Sequence, residues 1–294
     1  MTAVTNEPSR LSLALGSARH WLRRLAGNRS FLLGAILFGS ICVFTLAAPL
    51  ITSVDPNALN VRNRFRPPSE LSPFGTDNLG RDMLSRVLNG ARLSLGIGFA
   101  VVTLNAVFGV LLGAVAGYYR RLDDLLMRVA DALMAFPAVL LAIGIAAALG
   151  PSAATAIIAL AVVYIPRTAR VVRASILVAR ELDYVQAARA AGARDGRILW
   201  HHIMPNCMAP LIVQLSFVFA YAVLSEAVLS FLGLSAPPTV PSWGVLIAEG
   251  RTYLREAAYL TVIPGIAIAI TVLGLNLLGD GLRDVLDPRM KVEQ

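Results

Sequence analysis

The stretch YVQAARAAGARDGRILWHHIMPN, residues 184–206, places Tyr184, Gln186, Asp195, three arginines (Arg189, Arg194 and Arg197) and the pair His201–His202 within 23 positions. These side chains suit hydrogen bonding and ion pairing with a partner surface. Their spacing suits neither metal binding nor covalent chemistry. His20, His201 and His202 are the only histidines, and they form no HExxH pair and no paired Cys/His set. No serine sits in a GxSxG turn, and no histidine lies deep in an apolar run to act as its base. A phosphate-binding GxxxxGK[ST] loop needs a lysine before Ser or Thr, whereas the sole lysine, Lys291, precedes Val292. The expectation is therefore no catalytic set, no metal site and no cofactor in this chain. For His201 and His202 a capping or interface role is favoured over a ligand role.

The elements that position this stretch are apolar. The chain of 294 residues is 56% hydrophobic and only 15% charged, with net charge +8 and mean hydropathy +0.68, whereas soluble domains carry about 25% charged residues. Charge-free runs occupy 31–54, 93–119, 132–166, 203–225 and 257–279. A helical span needs roughly 20 residues to cross about 30 Å of hydrocarbon. The 132–166 run is too long for one span, and Gly150-Pro151-Ser152 divides it into 132–149 and 152–166. Six spans are predicted, in an all-α integral membrane protein. The first run, with 24 residues, exceeds the roughly 7–15 of a signal-peptide core and reads as a retained span. Before it, 11–25 is either an interfacial helix or a frayed basic tail. Cys42 and Cys207 read as small packing residues.

Loop charge sets the orientation. Counting Lys and Arg outside the spans, the side holding both termini carries 18 and the opposite side 8. Positive residues favour the cytoplasm. The resulting layout is a cytoplasmic segment 1–30, a first span 31–54, an extracytoplasmic loop 55–92, a core 93–279 and a cytoplasmic tail 280–294. Residues 184–206 then face the cytoplasm. Dispersed arginines and the lack of a reading module argue against nucleic acid as a partner.

Strong helix formers over 175–191 predict a helix ended by Gly192. A second short segment over 195–203 leads to Pro205 in the first turn of the next span. This is either a docking element or a solvated basic loop. Asn105, Gln214, Glu226 and Asn276 are candidate pathway residues because polar groups at depth are costly unless they face a cavity or partner. For each the alternative is an interhelical hydrogen bond, as it is for Ser40, Ser94 and Ser216, and Glu226 has the further alternative of hydration at the outer end of its span. Gln214 and Glu226 are the pair most suited to line the route or its outer gate. Pro137 and Pro264 fall inside predicted spans and Pro166 at an inner end, where kinks suit a moving or a static bundle equally. Span interiors without Asp, Glu, Lys or Arg disfavour a self-contained proton-coupled transporter, and the missing nucleophile and metal sets disfavour a membrane enzyme.

Gln186-Ala187-Ala188, Gly192 and Pro205 stand at the spacing of the EAA loop of ABC-importer permeases, with Gln186, His202 and Met204 where that pattern has Glu, Ile and Leu. PFGTDNLGRDMLSRVLNGARLSL (73–95), LSFLGLSAPPTVPSWG (229–244) and GDGLRDVLDPRM (279–290) resemble segments of dipeptide/oligopeptide importer permeases, with Ser235 in place of a glycine. The resemblance implies a type I importer fold with cytoplasmic coupling helices between spans four and five. It implies a multi-pass subunit in a bacterial inner membrane. Its partners would be a homologous second permease, two cytoplasmic ABC ATPase subunits or domains that hold ATP and Mg, and an extracytoplasmic peptide-binding protein. By the same resemblance Tyr184, Gln186, Ala187, Ala188, Gly192, Asp195 and Pro205 are the ATPase-coupling residues, and relatives of this subfamily extend the cargo from peptides to nickel and haem-like solutes.

Overall fold

The computed structural model describes residues 24–70, 72–237 and 239–286. The interfacial segment expected at 11–25 lies almost wholly outside them, as do the last residues of the GDGLRDVLDPRM run. In chain order the main helices are α1 (Arg29–Leu46), α2 (Met83–Tyr118), α3 (Arg120–Met134), α4 (Ala138–Leu149), α5 (Ala153–Ala179), α6 (Asp183–Ala190), α7 (Asp195–Phe231), α8 (Trp243–Gly250) and α9 (Tyr259–Leu286). No strand forms among the described residues; Thr76 and Asp82 make one isolated bridge. Helix satisfies every backbone N–H and C=O within its own segment, as a chain this apolar requires in hydrocarbon. Five helices (α1, α2, α5, α7 and α9) are long and apolar enough to cross a bilayer; α3 and α4, bent by 90° at their junction, make a sixth span only when counted together.

The all-α class is as expected, and several boundaries differ for identifiable reasons. Pro137 does not kink a span over 132–149: it is the N-cap of α4, with ψ 125°, and turns a corner. Its missing N–H and the restriction it places on its predecessor explain the break. The segment 120–131, expected as a loop, lies in the amphipathic helix α3. Its Asp123 and Asp131 accept hydrogen bonds from Arg173 (2.5 Å) and Arg170 (2.6 Å) of α5, while Leu122, Leu125 and Val129 face outward. α2 begins at Met83 rather than near 93, capped by the Asp82 carboxylate on the Ser85 N–H at 2.8 Å. The single helix expected over 175–191 is broken at 180–182. α7 continues to Phe231, which encloses Glu226. α1 stops at Leu46 and Pro49 opens a separate turn, Ala48–Ile51. Pro166 and Pro264 lie within α5 and α9.

Small residues let these helices approach. Gly109, Gly113 and Gly117 form a seam on α2 against Thr168, Ala169, Val172 and Ile176 of α5. A Cβ on Gly113 would stand 2.5 Å from the Ala169 carbonyl oxygen and 2.7 Å from Val172 Cβ. Gly34 on α1, with Gly274 and Gly281 on α9, makes a second seam of the same kind. Hydrocarbon supplies no hydrophobic drive between helices, so close van der Waals contact at such seams holds them together. One end of the bundle gathers the C-termini of α2 and α5, α6 and the start of α7. Asn28, before α1, donates to Asp284 near the end of α9 at 3.3 Å. Leu286 borders a hollow with Asn206, so both described termini share the end that carries α6.

Gly113→Leu is expected to force α2 from α5 and cost about 2 kcal/mol or more. A lowered melting temperature of the detergent-solubilised protein checks this, and Gly144→Leu, which meets nothing within 4 Å, is the control.

Candidate coupling site and a second polar centre

α6 hangs from the bundle by one apolar residue. Val185 is fully buried and joins the cluster of Ile176, Ala179, Ile198, Leu199 and Ile203. Gly192 then ends the helix at φ +79°. Its N–H donates to the Arg189 carbonyl at 3.0 Å and the Ala193 N–H to the Ala188 carbonyl at 3.1 Å. That is the Schellman pairing, which a left-handed glycine serves without strain.

Polar side chains brace this short helix. Tyr184 donates its hydroxyl to the His202 carbonyl at 3.2 Å and accepts from Asn206 Nδ2 at 2.8 Å. Gln186 Nε2 donates to the Arg180 carbonyl at 2.9 Å. The Tyr118 hydroxyl donates to Asp195 Oδ1 at 2.6 Å, tying the end of α2 to the start of α7. The predicted set thus divides in two. Tyr184, Gln186 and Asp195 hold the loop's own shape. Ala187, Ala190, Ala191 and Gly192 stand exposed, with Ala188 half-buried. Pro205 is exposed in the first turn after a π-helical turn, Ile198–Ile203, rather than opening a separate helix. A proline's missing N–H disturbs the hydrogen-bond ladder of the turn before it, and such turns mark these places.

The four candidate pathway residues share no hydrogen bond with one another. Asn105 is buried at a π-helical turn of α2, Asn105–Gly109, donating to the Val101 carbonyl (2.9 Å) and accepting from Thr168 Oγ1 of α5 (3.2 Å). Gln214 is half-buried and lines a hollow of about 600 Å³ with Val213, Phe217 and Arg283. Asn276 is half-buried on α9. Glu226 is fully buried, so the hydrated outer end allowed for it is corrected. Ser230 and Ser235 hydroxyls donate to its Oε1 at 2.5 and 3.5 Å. Glu226 on α7 and Arg86 on α2 lie outside the charge-free runs and are nonetheless buried ionisable residues of long helices.

Arg86 belongs to a centre that a search for apolar runs does not see. At the end opposite α6, Asp77 Oδ2 accepts from Arg81 Nε (2.5 Å) and Arg86 Nη1 (2.8 Å). Glu249 Oε2 of α8 accepts from Arg81 Nη2 (2.8 Å) and Arg86 Nη1 (2.6 Å). The Arg86 and Asp77 side chains are 1% and 4% exposed. The cluster joins the 55–82 segment, α2 and α8. Nearby the Trp243 indole N–H donates to the Val87 carbonyl at 3.1 Å, and Ser242 caps α8. The only sequence signal was the clustering of Asp77, Arg81 and Arg86 within ten residues, and an apolar-run count places them in a loop.

A bundle of long apolar helices with a short exposed helix slung between two of them defines a class, the permease of a type I ABC importer. A chain of the MetNI methionine ABC transporter, in an inward-facing form, matches this fold with TM-score 0.58 and 19% identity, covering 70% of this chain and 98% of that one. By sequence the chain belongs to the family of binding-protein-dependent transport system inner membrane components, which matches residues 106–292. The N-terminal transmembrane domain of oligopeptide transport permease C matches residues 18–68. A putative peptide transport system permease protein of Brucella suis is 59% identical over 92% of both chains. The dipeptide transport system permease protein DppC of Alkalihalophilus pseudofirmus is 44% identical over 95% of this chain and 92% of its own. The di/tripeptide transport system permease protein DppC of Pseudomonas aeruginosa is 42% identical over 99% of each.

Arg86→Ala leaves Asp77 buried without its full set of donors and is expected to destabilise the protein by about 3–5 kcal/mol, since breaking a buried pair strands the other charge. Chemical denaturation in detergent reads this out, with Asp77→Asn added to the Arg86→Ala background expected to restore part of the loss.

Proposed function

We propose that this chain is the permease subunit of an ATP-driven importer of di- or oligopeptides in a bacterial inner membrane. It forms half of the translocation path beside a homologous permease. A peptide-binding protein delivers cargo from outside, and two ABC ATPase subunits or domains supply the energy from the cytoplasm. The observation that supports this most directly is α6. A short helix with Val185 as its one buried side chain, and with Ala187, Ala190 and the following Ala191 and Gly192 turned outward, is a contact surface that nothing among the described residues covers. The names of the relatives support the cargo class, and the excess of Lys and Arg on the side of α6 supports its cytoplasmic orientation.

Transport on this reading is alternating access. ATP-driven closure of the ATPases pushes on α6, and the spans shift between two packings. Cargo biases that equilibrium only through its different affinity for the two states. The roles assigned to Gln186, Ala187, Ala188 and Gly192 in docking, and to Gln214 and Glu226 in the route, belong to this proposal.

Ala187→Glu tests it. The alanine is exposed, so the variant is expected to insert and fold normally. In proteoliposomes carrying the assembled importer, peptide-stimulated ATP hydrolysis and peptide uptake should fall at least tenfold. Undiminished uptake would remove α6 from the coupling path.

A further inference from the structure

Beside α6, a hollow of about 740 Å³ opens between the end of α2, the first turn of α3, the turn after α5 and the start of α7. Four guanidinium groups border it: Arg120, Arg121, Arg180 and Arg189. Two carboxylates do as well, and both are engaged. Glu181 pairs with Arg180 Nε at 3.0 Å, and Asp195 accepts from the Tyr118 hydroxyl. Arg180 is held further by the Gly117 carbonyl at 3.2 Å. Arg120, Arg121 and Arg189 make no ion pair with a carboxylate among the described residues. The hollow therefore gathers positive charge that the chain does not neutralise.

Its depth relative to the bilayer follows from the helices that frame it. Tyr118 ends one spanning helix and Arg180 follows another. α3 turns Asp123 and Asp131 toward α5 and leaves Leu122, Leu125 and Val129 outward, 45%, 63% and 55% exposed. An apolar stripe turned away from the protein with arginines at the helix end suits the membrane interface. Leu122 itself lines the hollow, so aliphatic surface and guanidinium groups meet there.

We propose that this hollow binds the phosphate of an anionic phospholipid from the leaflet on the α6 side, with Arg120, Arg121 and Arg189 as its ligands. The planar guanidinium fork matches phosphate oxygens in pairs. The acyl chains lie along Leu122 and Leu125. A lipid held this way links α3 to α6 and stiffens the short helix against the bundle. That the leaflet is cytoplasmic rests on the orientation proposed above; the site does not.

The test uses the complete importer in nanodiscs, with retained lipid identified by headgroup in native mass spectrometry. The readout is independent of transport, so a failure here and a failure of the peptide-import reading are separable. Wild-type importer is expected to retain phosphatidylglycerol over phosphatidylethanolamine. R120Q/R121Q removes two basic contacts and should weaken retention roughly thirtyfold, with an unchanged melting temperature in zwitterionic nanodiscs because both side chains are exposed. Equal retention by the double variant overturns the proposal. So does displacement of phosphatidylglycerol by inorganic phosphate alone, which would make the site one for a soluble anion, or loss of the lipid whenever the ATPases are bound, which would make it part of their interface.

Discussion

Hydrocarbon offers apolar helices no reason to associate, and the rest of this structure answers that constraint. Lipid tails are as good a solvent for leucine as a neighbouring helix is. What remains is close contact, which the glycine seams of α2 and α1 provide. Gly113 lies so near the Ala169 backbone that no other residue fits without displacement. The exposed leucines and valines on the outer helix faces contribute little to cohesion. Their task is to match the bilayer, and the large exposed apolar side chains on α1 and α9 are consistent with it.

Polar interactions then do what apolar packing cannot and fix which segment lies against which. The two ends of the bundle do this differently. At the α8 end, two arginines and two carboxylates interlock across three segments, largely away from solvent. Each such group costs several kcal/mol if left alone, so the segments move together or not at all. At the α6 end the braces are single hydrogen bonds at exposed or half-exposed positions. The first arrangement is a closed joint. The second is held just firmly enough to keep its shape.

The sequence made the apolar layout and the Gly192 turn legible because both depend on local chemistry. A run of apolar residues reports its own span, and a glycine after a helix-forming stretch reports its own left-handed turn. What escaped depends on partners outside the residue's own apolar run. Arg86 looks like a helix boundary when charges are treated as stops, yet Asp77 and Glu249 neutralise it from segments far apart in sequence. Glu226 looks like a hydrated end until Ser230 and Ser235 are seen to close over it. α3 escaped for a related reason: Asp123 and Asp131 read as loop charges until Arg173 and Arg170 of α5 pair with them. Pro137 could have been read better, since its local effect is to end a helix, and a long apolar run on both sides disguised the corner.

The bracing of α6 bears on how force would pass through it. Tyr184 reaches α7 through His202 and Asn206, Gln186 reaches the end of α5 through Arg180, and Asp195 joins α7 to α2 through Tyr118. A displacement of α6 therefore acts directly on α5 and α7, and through Asp195 of α7 on α2. Two of them, α2 and α7, contain π-helical turns, at Asn105–Gly109 and Ile198–Ile203. Such turns carry a looser hydrogen-bond ladder than the α-helix around them and are frequent at functional sites. The turn in α2 lies in the glycine seam with α5, where Asn105 accepts from Thr168, and the turn in α7 adjoins the braces of α6. Both helices are thus continuous enough to transmit a push along their length and locally loose enough to change register. On the proposed mechanism, the interlocked α8 end is the fixed point against which that change would be made.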